Sequence, residues 1–261
     1  MKEEENLPDN RFLTTMFWNV WFDLQNGKRG DGEAIFVKLE KLIREYQPDV
    51  IGLNEIFRVN PTTESVAERV LKSHGYNTYF DYLITAKDGS LIGSVIASRL
   101  DIEEVMSLTF AEDSPASFNW YQSYRPTALR LRIRQQEKSV QIIVPHFPVI
   151  LPKDLFVHRR QRKAFNKLLE KIGTRNTIIG GDFNEYKSLF RLFGKPEGFG
   201  VVAGSLLKPT WRLNAAKRTL VAAAVDYVLY DKKNDLKLKS SHIVDGRPSD
   251  HSPLIVKFEV K

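Results

Sequence analysis

The sequence predicts an α/β fold: one domain in which two packed β-sheets are flanked by helices. Segments with strand and helix periodicity alternate over the first part of the chain, strand patterns then cluster, and no low-complexity linker or internal repeat interrupts them. A chain of 261 residues is long enough to bury the core of two stacked sheets. We therefore expect a polar tail over residues 1–11 and a single domain over residues 12–261.

The N-terminal part of this fold consists of two strand–helix units. The elements predicted are strand Thr14–Val20, helix Glu33–Gln47, strand Val50–Leu53 and helix Glu64–Ser73. In the first helix, Ile35 and Leu39 begin an apolar series at helical spacing, and Pro48 ends it. The short strand that follows ends at Asn54-Glu55, and Gly75 is well placed as the C-terminal cap of the second helix.

The remaining elements are mostly strands around one long helix. They are strands Thr78–Thr85, Ser94–Ser98, Thr127–Ile133 and Val140–Val144, helix Leu155–Ile172, and strands Thr177–Ile179, Val225–Leu229 and Leu254–Val260. Periodicity turns Phe165 and Leu169 of the long helix inward. The basic residues expected to lie largely outward are Arg159, Arg160, Arg162, Lys163 and Lys167.

The charge of the chain favours anionic partners. Thirty-nine Lys and Arg residues against thirty-two Asp and Glu residues give a net charge of +7. Nucleic acid, anionic lipid and phosphorylated metabolites all suit such a surplus. Aromatic residues close to the polar loops would suit base stacking, although we expect most to be core. They are Trp18, Trp21, Phe22, Phe57, Trp120, Tyr121 and Trp211.

Several classes of protein are excluded or disfavoured by composition. The chain has no cysteine, which rules out disulfides, thiolate nucleophiles and zinc–thiolate sites. Residues 1–10 are acidic and lack the basic and apolar segments of a signal peptide. No apolar stretch approaches the ~20 residues of a membrane-spanning helix. We expect a cytoplasmic protein without stable membrane insertion, and favour a monomer.

Polar residues gather at or next to the ends of the predicted strands. They are Asn19, Glu55, His146, Asp182, Asn184, Asp226, Asp250 and His251. Loops at strand ends are where α/β folds place ligand chemistry. Any one such residue is more often a turn former, so the prediction of a site rests on the joint pattern.

Two of these segments have a recognisable chemistry. In Ile178–Asn184, an apolar strand runs into two glycines, and Asp182 and Asn184 then point the same way. Glycines let backbone and a phosphate approach closely, and the alternative is an ordinary Gly-Gly turn. In Ser249–Pro253, a carboxylate adjoins the His251 imidazole, which suits acid–base work; the alternative is a surface turn. Outside the strand-end set, we expect surface, packing or solvated roles for His74, His158 and His242.

Taken in order, these segments resemble the endonuclease/exonuclease/phosphatase superfamily, which includes deoxyribonuclease I, apurinic endonucleases, tyrosyl-DNA phosphodiesterase, neutral sphingomyelinases and inositol phosphate phosphatases. The resemblance implies a four-layer sandwich like that of deoxyribonuclease I, with two mixed sheets between helices. The segments that carry it are Phe17–Val20, Pro48–Glu55, Gly93–Arg99, Tyr124–Pro126, Val144–His146, Gly180–Asn184, Val225–Leu229 and Ser249–His251.

The resemblance implies a metal-assisted cleavage of a P–O bond. Glu55 would be the principal ligand of Mg²⁺, with Mn²⁺ as an alternative, and Asn19 would lie beside it. His251 would be a general base or phosphate clamp oriented by Asp226. Asp250 would contact a second metal or a water.

The remaining roles concern phosphate and water. Asp182 and Asn184 would position the attacking water and the phosphate, and His146 would be a second phosphate-binding or leaving-group histidine. Arg125 would lie near the scissile phosphate; the alternative is an ordinary surface arginine.

Two departures from the family pattern bear on substrate. The apurinic endonucleases usually have Tyr-Val-Pro-Asn where this chain has Ile143–His146, which favours the histidine-bearing members. Asn54 replaces a more common glutamine and leaves the metal role intact. The leading hypothesis is a nuclease or DNA-repair phosphodiesterase acting on DNA or RNA. The alternatives are a phosphatase or sphingomyelinase-like lipid phosphodiesterase, and a binding module with a degenerate site.

Overall fold

The first of two large sheets, sheet A, contains the N-terminal strand in its interior. The structure is a computed structural model that describes residues 11–20, 32–111, 114–115, 121–147, 155–185, 196–203, 209–215 and 218–261. The strands of sheet A are β1 (Phe12–Asn19), β2 (Val50–Arg58), β3 (Asn77–Ala86), β4 (Leu91–Ser98), β6 (Ser114–Pro115), β7 (Tyr121–Tyr124), β15 (Leu236–Ile243) and β16 (Leu254–Val260). Their order is β15-β16-β1-β2-β4-β3-β7-β6, in which β1 and β2 are parallel.

The second sheet, sheet B, has a parallel pair of strands at its centre. Its strands are β5 (Ile102–Thr109), β8 (Thr127–Gln135), β9 (Lys138–Pro145), β10 (Thr177–Asp182), β11 (Phe199–Ala203) and β14 (Asp226–Asp231). Their order is β11-β14-β10-β9-β8-β5, and the parallel pair is β9 with β10. A separate hairpin consists of β12 (Trp211–Ala215) and β13 (Arg218–Ala223).

Three helices complete the described residues: α1 (Gly32–Tyr46), α2 (Val66–Ser73) and α3 (Leu155–Ile172). Alternation along the strands divides the core into three layers. Phe17 of β1 packs between the sheets, whereas Met16 and Trp18 pack with α1 and α2 on the outer face of sheet A. Phe165 of α3 packs on the outer face of sheet B. These layers confirm the predicted sandwich of two mixed sheets flanked by helices.

The caps of α2 follow directly from its sequence. Ser65 and Glu68 form a capping box, in which each side chain accepts a hydrogen bond from the other residue's backbone N–H. Gly75 has a φ of +81°, so it adopts the left-handed conformation of a helix C-terminus, as predicted.

Strand β2 departs from its predicted course. The prediction that it ends at Asn54-Glu55 is wrong, because pairing with β4 resumes at Ile56 and continues to Arg58. The register shifts between Leu53 and Ile56, and Glu55 has a φ of +59°. Such a bulge redirects a side chain without ending a strand.

Three strand glycines lie where a larger side chain would not fit. A Cβ atom on Gly180 would lie 2.4 Å from the Phe17 ring, and one on Gly181 would lie 2.5 Å from the Pro145 carbonyl oxygen. A Cβ atom on Gly52 would also clash with Phe17, at 2.8 Å. Their small size is therefore required by protein packing, and the close phosphate approach that the sequence suggests stays a prediction.

Helix α3 presents most of its basic residues outward, with one exception. Arg159, Arg160, Lys163 and Lys167 are exposed as predicted, but Arg162 is fully buried. Its guanidinium forms an ion pair with Glu185, which is also fully buried. None of the helices in the described residues has the length and apolarity needed to span a bilayer.

Candidate active site

The ends of strands from both sheets converge on one site. Asn19 ends β1 and pairs in register with Asn54 of β2. On sheet B, Asp182 at the end of β10 pairs with Asp226 at the start of β14, and His146 bridges to Asp182. The topology thus brings together residues that are far apart in sequence, as predicted.

Asn19 links the two sheets at the centre of this site. Its amide nitrogen donates to Glu55 Oε1 at 2.9 Å and to Asp182 Oδ2 at 3.0 Å. The bulge in β2 turns the Glu55 carboxylate toward this amide. Burial raises the pKa of Glu55, but hydrogen bonding and charge from His146, together with the Asn19 amide, outweigh it and hold this pKa below its usual value.

His146 lies against the same carboxylates. Its Nε2 atom is 3.5 Å from Glu55 Oε1 and 3.8 Å from Asp182 Oδ2. Burial lowers the pKa of the ring, and the charges of Glu55 and Asp182 raise it above its ordinary value overall. Its Nδ1 atom is buried and has no hydrogen-bond partner among the described residues.

His251 pairs with Asp226 on the other side of Asp182. The Nδ1 atom is 3.0 Å from Asp226 Oδ2, and Nε2 is 3.9 Å from Asp182 Oδ2. Burial lowers the pKa of this imidazole, but the Asp226 and Asp182 charges raise it strongly overall. The ring therefore favours its protonated form.

Two indoles hold the loop that carries His251. Trp18 Nε1 donates to the backbone oxygen of His251 at 3.1 Å, and Trp211 Nε1 donates to Asp250 Oδ2 at 2.9 Å. Asp250 Oδ1 lies 3.8 Å from His251 Nε2, and burial raises the pKa of Asp250 to about 6. The sequence predicts only core or stacking roles for both tryptophans and contains no signal for these contacts.

The structure describes only some of the other aromatic residues near the site loops. Phe57 is half-buried in β2. Trp21, Phe22 and Trp120 lie outside the described residues, and Tyr121 is described only through its backbone in β7. Their expected roles stay predictions.

Asn184 lies beside Asp182 with a left-handed φ of +48°. Its side-chain nitrogen donates to Phe147 O at 2.7 Å and to Asp182 Oδ2 at 3.0 Å. Asn184 is therefore joined to the cluster, where it orients Asp182.

Arg125 is placed differently from the other predicted residues. Its Nη1 atom is 3.1 Å from Asp81 Oδ1, and its guanidinium lies 4.9 Å from the centre of the Tyr82 ring. Both partners belong to β3. Among the described contacts none joins Arg125 to the cluster, and its phosphate role stays a prediction.

Asn54 and Thr210 support the site from behind, a role that the sequence does not predict for them. Asn54 is fully buried, and its Oδ1 accepts a hydrogen bond from the Asp182 N–H at 3.0 Å. Its nitrogen donates to Ser94 Oγ and Pro145 O. The Thr210 hydroxyl accepts hydrogen bonds from the backbone N–H groups of Val225 and Asp226.

The histidines outside the site have simpler surroundings. His74 is half-buried at the end of α2, and His242 is exposed with its ring centre 6.1 Å from that of Tyr46. The side chain of His158 lies outside the described residues. The first two placements agree with the surface or packing roles expected for them.

The charge and atom types of the site fit a hard divalent cation. The carboxylates of Glu55, Asp182, Asp226 and Asp250 outnumber the two imidazoles, and burial together with like charge raises the pKa of Asp182. Ligand atoms of Glu55, His146 and Asp182 all lie within 4.8 Å of one another. Carboxylate and amide oxygens are the donors that Mg²⁺ prefers, so the residues present fit the metal that the resemblance implied.

Comparison with known proteins settles the family. The sequence model of the Endonuclease/Exonuclease/phosphatase family matches residues 16–251, a range that contains the whole cluster. The chain belongs to the endonuclease/exonuclease/phosphatase family. Membership confirms the resemblance and the enzyme class it implied, a hydrolase of phosphoric esters. A search of curated protein sequences finds no match.

Solved structures of the family share this fold at low sequence identity. The human Nocturnin catalytic domain with bound sulfate has a TM-score of 0.70 at 18% identity, covering 96% of this chain and 94% of its own. ANGEL2, a 2′,3′-cyclic phosphatase in complex with adenosine-2′,3′-vanadate, has 0.72 at 14%, covering 95% and 96%. D. rerio TDP2 complexed with single strand DNA product has 0.66 at 16%, covering 95% and 98%.

Proposed function

We propose that this enzyme is a Mg²⁺-dependent phosphodiesterase acting on nucleic acid, either as a nuclease or in DNA repair. The observation that carries the proposal is the meeting of Glu55 and His251 at Asp182. Asn19 joins the Glu55 and Asp182 carboxylates, and His251 Nε2 lies 3.9 Å from Asp182 Oδ2. Glu55 and the His251 imidazole thus both lie next to Asp182, which supports the binding of a cation and a phosphate side by side.

Glu55 and Asn19 are the residues proposed to hold the cation. Bound Mg²⁺ would polarise a phosphate oxygen and stabilise the negative charge that develops as the P–O bond breaks. Mn²⁺ prefers the same oxygen donors and is expected to substitute. The excess of carboxylates in the site supports this assignment.

The chain's own residues would handle phosphate, water and proton. His251, kept protonated by Asp226, would hold a phosphate oxygen through Nε2–H, which favours a phosphate clamp over a general base. Asp182, oriented by Asn184, would orient the attacking water and accept its proton. His146 would donate to phosphate or to the leaving oxygen. Asp250 would hold a second water, and Arg125 would reach substrate phosphate outside the cluster.

Nucleic acid is the proposed substrate because of charge. The net charge is +7, and α3 presents an exposed basic stripe at i, i+4 spacing. The stripe consists of Arg159, Lys163, Lys167 and Lys171. The bound single strand DNA product in D. rerio TDP2 agrees with this choice. A cytoplasmic monomer remains our expectation for the protein itself.

A substrate panel tests the proposal. DNA, RNA, abasic DNA, phosphotyrosyl-DNA, a phosphomonoester and sphingomyelin are incubated with Mg²⁺, with Mn²⁺ and with EDTA. We expect cleavage of a nucleic acid that EDTA abolishes. Intact nucleic acid with turnover of a phosphomonoester, a 2′,3′-cyclic phosphate or sphingomyelin would select the phosphatase or lipid alternative instead. Absence of Mg²⁺ binding and of all turnover would leave a degenerate binding module.

A further inference from the structure

A second layer of side chains lies directly behind the candidate active site. Four site residues are each followed by a fully buried neighbour: His146 by Phe147, Asp182 by Phe183, Asn184 by Glu185, and Asp226 by Tyr227. Phe147, Phe183 and Tyr227 belong to the same buried cluster as Phe165 of α3, and Glu185 pairs with Arg162 of α3, so all four neighbours lie on the α3 side of sheet B. We call Phe147, Phe183, Glu185 and Tyr227 the rear layer. Because each is the sequence neighbour of a site residue, a shift in the rear layer would move the site residues.

Arg162 of α3 contacts most of the rear layer at once. Its guanidinium carbon is 5.2 Å from the centre of the Phe147 ring and 5.1 Å from that of Phe183. These two rings stack on each other, with centres 5.6 Å apart. The Nε atom lies 2.9 Å from Glu185 Oε1, and both charged side chains have an exposed fraction of 0%. One arginine thus touches the residues that follow His146, Asp182 and Asn184.

Tyr227, the fourth residue of the rear layer, contacts Glu185 and Phe183. Its hydroxyl lies 2.7 Å from the backbone oxygen of Glu185 and 2.8 Å from that of Ala224. Its ring meets Phe183 edge-on, with centres 5.7 Å apart. The segment around Glu185 is therefore held through both its side chain and its backbone.

Stability alone is a weak reason for a charged pair in this place. Removing two charges from water costs several kcal/mol for each, and apolar side chains of similar volume often stabilise a core equally well. Burial raises the pKa of Glu185 to about 7, although Arg162 opposes that shift, which reflects the cost of desolvating the carboxylate. The ion pair does, however, join α3 directly to the residue that follows Asn184, at a separation of 2.9 Å.

We propose that Arg162 and Glu185 are positioning residues, which hold the His146 and Asp182–Asn184 segments at the separation that catalysis requires. This inference rests on the proposed function, because the segments it positions are those assigned to phosphate and water.

The test removes both charges together. Arg162→Met combined with Glu185→Leu replaces the pair by apolar side chains, which preserves folding better than removing one partner. Glu170→Met, an exposed charge on the same helix, is the matched control. Melting temperature, kcat and KM are measured on bis(p-nitrophenyl) phosphate with Mg²⁺.

We expect a folded double variant whose melting temperature and KM stay close to those of the control while kcat falls about 10²-fold, because small misplacements of reacting groups cost that much. If the pair served only stability, a double variant with the melting temperature of the control should also have the kcat of the control. A double variant with the kcat of the control would overturn the proposal. If circular dichroism shows the double variant unfolded, Glu185→Gln, which keeps the size of the side chain, is judged by the same criteria.

A readout independent of turnover separates this inference from the function on which it rests. The imidazole NMR signals of His146 report its surroundings directly. We expect them to shift in the double variant and to stay in place in Glu170→Met. Unmoved His146 signals would refute positioning. A wild-type enzyme without phosphodiesterase activity would refute the proposed function, and the NMR comparison would still decide positioning.

Discussion

Asp226 and His251, 25 positions apart in the sequence, form a buried pair in which Asp226 Oδ2 lies 3.0 Å from His251 Nδ1. The carboxylate fixes the ring so that Nε2 faces Asp182 Oδ2 at 3.9 Å. A carboxylate that holds an imidazole in this way sets both its orientation and its protonation state. Substitution of Asp226 is therefore the most direct test of how the protonation and orientation of His251 affect catalysis.

Asp226→Asn should separate orientation from charge. The amide retains the size of the side chain but loses the negative charge that raises the pKa of His251, so this pKa should fall. In the metal-free protein, the His251 NMR signals should titrate at lower pH in the variant than in the wild type. We expect kcat to fall by about 10²–10⁴-fold. Identical titration curves would contradict the pairing.

Glu55→Gln tests the cation seat. The substitution removes a ligand charge and leaves a side chain of equal size, so calorimetry should show Mg²⁺ affinity reduced by roughly tenfold or more. Phosphodiesterase activity should decline with it and recover only partly at high Mg²⁺. Glu170→Gln, exposed on α3, serves as the control and should bind Mg²⁺ as the wild type does. Equal affinity in both variants would place the cation elsewhere.

Asn54→Leu tests the bridge between the sheets. Leucine leaves the buried Asp182 N–H without its acceptor, and an unsatisfied buried group costs about 1–3 kcal/mol. Urea unfolding should show this loss in the free energy of unfolding, and kcat should fall because Asp182 loses an anchor. The exposed Asn77→Leu on β3 should change neither quantity. A variant as stable as the wild type would show that the bridge is dispensable.

Glu68→Gln tests the capping box and its ion pair with Arg58, whose Nε lies 2.9 Å from Glu68 Oε2. Burial raises the pKa of Glu68, but the hydrogen bonds and charge of Arg58 and the hydrogen bonds of Ser65 outweigh this effect. The pKa therefore lies below its usual value. The charged form therefore stabilises the fold above the unfolded pKa, and this stabilisation disappears as pH falls through the folded pKa.

At neutral pH, Glu68→Gln should lower the free energy of unfolding by about 1–3 kcal/mol, because it weakens hydrogen bonds to a charged partner that is itself partly exposed. Urea unfolding of variant and wild type should converge as pH falls below about 4.3. A difference that persists unchanged at acid pH would mean that the charge is not responsible.

Lys163→Ala with Lys167→Ala tests the basic stripe of α3. If both lysines bind phosphates, the slope of log K against log salt for a DNA duplex should become shallower by about 0.9 for each phosphate that is no longer neutralised. Lys38→Ala with Lys41→Ala on α1, in the layer on the opposite face of the sandwich, is the matched control. Equal slopes in the two variants would argue against the stripe as a binding surface.

The layered fold was predictable because its signals are local, whereas the convergence at the site was expected from the resemblance to the family. Phe17 and Trp18 show the alternation of a strand buried on both faces, and residues 155–172 show a helical period that the structure reproduces. Local patterns placed the polar residues only at strand ends. The resemblance to the family then implied that Asn19, Glu55 and His251 belong to one site, before their distances were known.

Other features depend on partners that a local pattern does not contain. Arg162 lies in a basic run and resembles the exposed residues around it, because its partner Glu185 belongs to a different element. Edge strands β5 and β15 were also missed, since each buries only one residue fully and carries several charged or polar side chains. The bulge at Glu55 arises from the pairing of β2 with β4, so the sequence of β2 alone does not predict it.

The pairing of β1 with β16 has a consequence for how the chain folds. The Thr15 hydroxyl donates to Val256 O across 241 positions, so the centre of sheet A closes one of the longest loops in the protein. Closing such a long loop reduces the conformational entropy of the chain before the contacts between β1 and β16 form, and this slows folding. Until β16 docks, β1 presents an open edge to other molecules. Refolding yield should therefore fall as protein concentration rises, through competition between chains for that edge.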